Sequence, residues 1–349
     1  RGKDSWWDPC KGMSTQQREE WVFEAFKLKE NAYLRKNPEV CKKLTRLLSE
    51  HTDCFAGKGH VEAIPATDWV SLSLDTDPTA PAVHQRPRPL SPPDQEDLDR
   101  QLAVWLKQRV ICPALPGAWG LNLVPVRKKG VAAGVRRWTV DARPLNSVTY
   151  PRPEYIGKIN SNLENLQNMN LFIQADLANS FLSIPVKPDQ AHKLSFVTPR
   201  SGAFTMLRSG YGLRNSPMAL EQLGTAIMRP LKTDEGTKFV DDFLLHSRGP
   251  DQLLKTFGIF LSQIRAANVK IQVSKTFLFQ TRVLFLGHLV VGAIDPTREP
   301  GLYPDPELVD CITKTAVPTV AADLKRYLGQ LAFYHSFLVN GSSYTASLH

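Results

Sequence analysis

The chain has few of the features that build disulfide-stapled domains or membrane anchors. Its five cysteines, Cys10, Cys41, Cys54, Cys112 and Cys311, are scattered, odd in number and never spaced Cys-x-x-Cys. This argues against a disulfide framework or a zinc ribbon and fits a reducing, intracellular setting. No apolar run approaches the roughly 18 residues that a membrane span needs. No segment repeats, and no signal peptide is visible at the start, where Arg1 reads as the beginning of a processed product or a fragment. Acidic residues are outnumbered, with 34 Asp and Glu against 43 Lys and Arg, for a net charge of +9 and a pI near 9.3. That excess suits a polyanionic partner, either nucleic acid or an acidic membrane surface, and charge alone does not choose between them.

With 349 residues, 42% of them apolar, the chain is long enough for two or three subdomains around a sizeable core. Residues 1–60 read as helical and basic. Thr15 is placed to cap a helix running through Trp21, Phe23, Phe26 and Leu28, and a second helical pattern covers 38–50. Trp6, Trp7 and Trp21 read as local core. Trp69 to Leu74 reads as a strand, followed by a proline-rich linker from Pro78 to Pro93. Ser91-Pro-Pro-Asp94 starts a helix with a capping hydroxyl, prolines in the first turn and an acid at the positive end; Leu98, Leu102, Trp105 and Leu106 form its apolar stripe. Val124–Arg127 and Trp138–Asp141 read as two strands of a ribbon whose connection, Lys128 to Arg137, is basic and carries Gly130 and Gly134. Beyond Pro153 the pattern is mixed α/β. Leu171–Ala175 and Val283–Leu286 read as buried strands, while Leu253 to Ile264 and Asp323 to Leu338 read as helices.

The acids carry the chemistry. Asp241 and Asp242 lie between Phe239-Val240 and Phe243-Leu244-Leu245, and Asp176 ends the apolar run Leu171–Ala175. Adjacent residues of a regular strand point to opposite faces, so Asp241 and Asp242 act together only if a tight hairpin re-aims one of them. Carboxylates gathered among apolar strands are unfavourable unless a cation neutralises them. Two-metal phosphoryl transfer needs such a gathering.

Several ordered motifs give these acids a context. Trp138-Thr-Val-Asp-Ala-Arg-Pro-Leu-Asn146, Ala175-Asp-Leu-Ala-Asn-Ser-Phe181, Tyr211-Gly-Leu-Arg-Asn-Ser-Pro217, Phe239-Val-Asp-Asp242, Phe285-Leu-Gly-His288, Pro304-Asp-Pro-Glu307 and Leu328-Gly-Gln-Leu-Ala-Phe-Tyr334 follow one another in the order found in reverse transcriptases. From about residue 85 to 349 the chain resembles the reverse transcriptases of long-terminal-repeat retrotransposons and retroviruses, closest to the Ty3/gypsy type.

The resemblance implies an α/β (α+β) right-hand polymerase. Its parts would be a helical N-terminal extension (1–60), fingers with a linker (61–155), a palm with part of the fingers (156–290) and a thumb leading towards a connection (291–349). It implies that Asp176, Asp241 and Asp242 are catalytic and hold two Mg²⁺ ions, with Mn²⁺ as a possible substitute, and that the backbone carbonyl of Leu177 is a further metal contact. Lys128 and Arg137 would hold the triphosphate, Phe181 would gate against a 2′-hydroxyl, and Tyr211 and Gly212 would back the templating pair. Lys275 would lie near the leaving pyrophosphate, and Phe285, Leu286, Gly287 and His288 would form the primer grip. The implied partners are an RNA template, a DNA primer or duplex and dNTPs, with residues 1–60 free for a protein partner. The polar run Thr233 to Lys238 predicts that the first strand of the Asp-Asp hairpin is short or frayed. No Asp-Thr/Ser-Gly protease motif occurs, and the chain stops before an RNase H domain would begin. Two alternatives belong to other classes: a domesticated, non-catalytic module acting as a structural or RNA-binding subunit, and an unrelated basic α/β binding module.

Overall fold

The computed structural model describes residues 8–56, 64–127, 136–153, 163, 164, 166 and 168–338. The N-terminal segment forms α1 (Thr15–Ala25), α2 (Ala32–Lys36), α3 (Pro38–Ser49) and the short strand β1 (Phe55–Ala56). The cap of α1 is Ser14, one residue before the expected Thr15. Its hydroxyl accepts from the Gln17 amide, and the Gln17 side chain accepts from the Ser14 amide, a reciprocal capping box. The helix also ends earlier than the apolar pattern suggests. Phe26 is its C-cap, and Lys27, in the left-handed region at φ 50°, turns the chain into a 3₁₀ turn at Leu28–Glu30.

These helices are not a detached appendage. Val22, Leu28, Leu34, Leu44, Leu48 and Phe55 are buried in the same core as Phe257, Phe260 and Leu261 of the later helix Pro250–Ala266. Lys43 pairs with Asp251 at 2.7 Å, Arg265 forks onto both oxygens of Asp53, and β1 runs parallel to Ile271–Gln272.

After α4 (Pro92–Lys107), capped by Ser91 as expected, come β2 (Ile111–Pro113), β3 (Leu121–Arg127), β4 (Arg136–Val140) and α5 (Arg143–Val148). Then follow β5 (Leu171–Asp176), β6 (Ser195–Thr198), β7 (Gly202–Met206), α6 (Ser216–Met228), β8 (Gly236–Phe239), β9 (Asp242–Ser247) and α7 (Pro250–Ala266). The remainder is β10 (Ile271–Gln272), β11 (Phe277–Gln280), β12 (Arg282–Phe285), β13 (His288–Val291), β14 (Gly301–Pro304), α8 (Pro306–Thr313) and α9 (Ala321–Phe333). One sheet has the order β2-β7-β6-β3-β4, a second β11-β5-β9-β8, and a third β12-β13-β14. The expected strand Trp69–Leu74 does not form. Leu72 and Leu74 are buried, but the segment makes only an isolated bridge from Leu72 to Val186. The segment is tied down at Asp75, whose carboxylate is held by Ser73, Gln190 and Arg152.

The second sheet positions the acids. Strand β5 is apolar at Leu171, Phe172, Ile173 and Ala175 because both its faces are covered. Leu171, Ile173 and Ala175 join the main core with α7, while Phe172 packs in a separate cluster with Leu244, Val283 and Phe285. The polar run before the Asp-Asp pair is explained by its place at the sheet edge. Short as expected, β8 nonetheless pairs in register along all four residues, from Gly236 opposite Leu245 to Phe239 opposite Asp242. Among the described residues only one of its edges meets a strand, and polar side chains protect such an edge from foreign pairing. Thr237 is buried, and Lys238 forms an ion pair with Glu221 of α6.

Candidate active site

Residues 239–242 form the hairpin that the paired acids require. Phe239 and Asp242 face each other across β8 and β9, leaving Val240 and Asp241 as a two-residue turn. Val240 takes the left-handed region at φ 56°, whereas Asp241 does not. Glycine usually fills such a first turn position. A β-branched residue there stores strain on the order of 1–3 kcal/mol, a cost the packed sheet on either side must over-determine. Strand β9 in turn lies antiparallel to β5 with Asp242 directly opposite Asp176. Two strands and one turn thus bring Asp176 together with Asp241 and Asp242, 65 and 66 positions later in the chain.

The electrostatics are those of crowded carboxylates. Burial, then the charges of Asp241 and Asp176, push the Asp242 carboxyl up to about 6. Burial also raises Asp176, against the pull of Lys275, whose ammonium donates to Asp176 Oδ2 at 2.7 Å. That hydrogen bond in turn raises the Lys275 pKa. Asp241 is oriented by Ser180, whose hydroxyl donates to Oδ2 at 3.1 Å. Among the described residues no group of three acidic, histidine or cysteine side chains is placed to hold a metal ion; Asp176 and Asp241 are each engaged by a protein donor. The donor set nevertheless fits Mg²⁺ or Mn²⁺: three hard carboxylates carry more negative charge than the single Lys275 ammonium offsets.

A second group adjoins the first through Ser180. Its neighbour Phe181 packs edge-on against Tyr211, with ring centroids 4.9 Å apart. The Arg137 guanidinium sits over the Tyr211 ring, 4.4 Å from its centroid. Gly212 follows in the left-handed region at φ 82°. Leu177 is buried and bridges to Ile271, next to the turn that carries Lys275. Lys128 lies outside the described residues, as does the tip of the basic ribbon (128–135).

Phe285, Leu286, Gly287 and His288 form a hairpin of their own, joining β12 to β13. Phe285 faces His288, and Leu286 and Gly287 make the turn at φ 49° and 71°, both positive as in a type I′ hairpin. His288 is buried under Phe333, Tyr334 and Phe337, and the Tyr334 hydroxyl donates to the Gly287 carbonyl at 2.5 Å. Four residues that the motifs did not single out for a role belong beside the named ones: Thr139, Asn146, Ser180 and Val240. All but Ser180 contact or shape backbone, so their roles depend on geometry rather than on residue type. Ser180 had one signal, its place next to Phe181.

Comparison with known proteins agrees with the motifs. Residues 126–290 match the family described as reverse transcriptase (RNA-dependent DNA polymerase). The retrovirus-related Pol polyprotein from transposon 297 of Drosophila melanogaster is 26% identical over 87% of this chain and 28% of its own length. That alignment reaches further than the motif span from 85 onwards, into the N-terminal helices. The Pol polyprotein from transposon opus of the same organism is 29% identical over 69% of the chain and 23% of its length. A Tf2-3 polyprotein of Schizosaccharomyces pombe is 26% identical over 75% of the chain and 19% of its length. The chain therefore spans about a quarter of the curated relatives it matches. A solved foamy viral protease-reverse transcriptase in complex with dsDNA shares the fold, with a TM-score of 0.77 and 20% identity over 96% of this chain and 65% of that one. No helix among the described residues is long and apolar enough to cross a membrane.

Proposed function

We propose, from the reverse-transcriptase domain matched over residues 126–290, that this chain is the polymerase core of a retroelement and copies RNA and DNA templates into DNA. The observation that carries the proposal is the in-register opposition of Asp176 and Asp242, with Asp241 at the adjoining turn. Residues 1–60 are then a helical extension braced on the palm, 61–155 the fingers, 156–290 the palm with part of the fingers, and 291–349 the thumb and the start of a connection.

Asp176, Asp241 and Asp242, with the carbonyl of Leu177, are the groups that would hold two divalent ions. When bound, such ions lower the pKa of a primer 3′-hydroxyl and neutralise the triphosphate. The rest of the work falls to the chain. Lys275 adds a positive charge at the edge of the acid cluster, where pyrophosphate departs. Arg137 and Lys128 supply a fork and a point charge to the triphosphate. The Phe181 ring, backed by Tyr211, closes the floor under the sugar and leaves no room for a 2′-hydroxyl. Most of the rate gain comes from positioning and charge neutralisation. The DNA- and hybrid-bound states of the foamy viral enzymes make a primer–template duplex the natural partner here.

The test is primer extension with purified protein, Mg²⁺ and dNTPs on RNA and on DNA templates. Extension on both is expected, and no incorporation on either template with Mg²⁺ or Mn²⁺ would remove the proposal. The gate has its own test. Phe181→Val is expected to raise ribonucleotide use relative to deoxyribonucleotide use by about ten- to a hundredfold, the range one lost side-chain contact gives in a fitted pocket. An unchanged ratio would take Phe181 out of that role.

A further inference from the structure

The loop that carries Tyr211 and Gly212 is held from outside by two polar side chains. The Asn146 amide spans it: Nδ2 donates to the Gly212 carbonyl at 2.7 Å, and Oδ1 accepts from the Arg214 amide at 2.9 Å. Arg214 answers by donating from its guanidinium to the carbonyls of Asn146 and Thr149, at 3.1 and 3.2 Å. From β4, the Thr139 hydroxyl donates to the Tyr211 carbonyl at 3.2 Å. The carbonyls of Tyr211 and Gly212 are thus both bound by side chains of the Trp138–Asn146 motif.

Packing does not do this job. Tyr211 is 40% exposed, and a Cβ built on Gly212 would meet nothing within 4 Å. A left-handed glycine without neighbours has several accessible peptide orientations, so its carbonyl partner selects among them. The primary amide donates to one backbone carbonyl and accepts from the amide two residues on, which a carboxylate cannot do. The ring that this loop presents is the one that backs Phe181 at 4.9 Å and lies under Arg137 at 4.4 Å.

We infer that Asn146 is a positioning residue that sets the height of the Tyr211–Gly212 shelf, and that nucleotide affinity and discrimination between ribose and deoxyribose depend on it. This rests on the polymerase reading above. Asn146 acts through the backbone of Gly212. Thr139 supports it by fixing the preceding carbonyl.

The experiment compares wild type, Asn146→Asp and Thr139→Val in single-nucleotide extension with dNTP and rNTP, alongside duplex affinity and thermal unfolding. Asn146→Asp keeps the acceptor for Arg214, loses the donor and sets a carboxylate against the Gly212 carbonyl. It is expected to raise the dNTP KM about tenfold and to lower the dNTP-to-rNTP preference by a similar factor, the scale of one hydrogen bond lost in the bound state. Duplex affinity and the unfolding temperature are expected to hold. Thr139→Val removes one hydroxyl without changing shape and is expected to shift both values the same way by about threefold. It carries the test if Asn146→Asp does not fold. A wild type that extends primers, beside variants with unchanged KM and sugar preference, overturns the role of Asn146 and leaves the polymerase reading standing; so does a variant that only melts earlier. A wild type that incorporates nothing overturns both together.

Discussion

Asp241→Asn and Asp242→Asn should each slow primer extension by about a thousandfold, on the order of 4 kcal/mol of transition-state stabilisation, without lowering the unfolding temperature. The two halves of this result have one cause. Asp242 faces Asp176 in register, with Asp241 at the adjoining turn, and its carboxyl is held up to about 6 by burial and by the two neighbouring charges. Converting one acid to its amide relieves repulsion in the folded protein, so stability does not suffer. The same change removes a charge that the proposed reaction needs. Single-turnover extension paired with thermal unfolding separates the two. A variant that extends at the wild-type rate removes its residue from the catalytic set, and one that is slow only because it unfolds does the same.

A second large effect lies at the far end of β9. His246 is fully buried, and neither ring nitrogen has a hydrogen-bond partner within the described protein. Burial pushes its pKa down from 6.5 to about 4, against a slight upward pull from Asp234. In the folded chain the ring therefore stays neutral over a range where the unfolded chain binds a proton. Its contribution to stability is complete above about pH 6.5, is lost as pH falls towards 4 and is flat below. The whole loss is about 3 kcal/mol, from 1.36 kcal/mol per unit of difference. Urea unfolding at pH 7.5 and 4.5 reads it directly. His246→Leu should lose less stability between those values than wild type does, by most of that amount. Equal losses would show that His246 does not control the acid limb.

Much of the site could be read before the fold, because its signals are local. The apolar run Leu171–Ala175, ending in Asp176, is a strand buried on both faces, and paired acids between apolar flanks make a hairpin turn. Where local pattern and tertiary context disagree, the sequence misleads. Trp69–Leu74 has the composition of a strand, but the buried Leu72 and Leu74 are satisfied by one bridge and by the Gln190 side chain, which accepts from the Leu74 amide. Thr233 to Lys238 looks unlike a strand only because β8 is an edge, where polarity is an asset. Contacts between distant residues carry no local signal at all. Nothing in the sequence around Lys275 shows that its ammonium meets Asp176, 99 positions earlier, or that Asn146 reaches the backbone of Gly212. Those depend on sheet register, which only the assembled core specifies.

The docking of the first helices on α7 and β11 also orders events during synthesis. Asn31 donates to the carbonyl of Leu278, 247 positions later, and Phe55 pairs with Ile271. The N-terminal helices leave the ribosome well before the surface that receives them is made. At roughly 5–20 residues per second they wait about 12–50 seconds before Val22, Leu34, Leu44 and Leu48 can join the core they share with α7. Closing so long a loop adds little to its entropic cost, since that cost grows only with the logarithm of length. The interval itself is the hazard: it gives a holding chaperone, or a neighbouring nascent chain, time to occupy the face that α7 will claim.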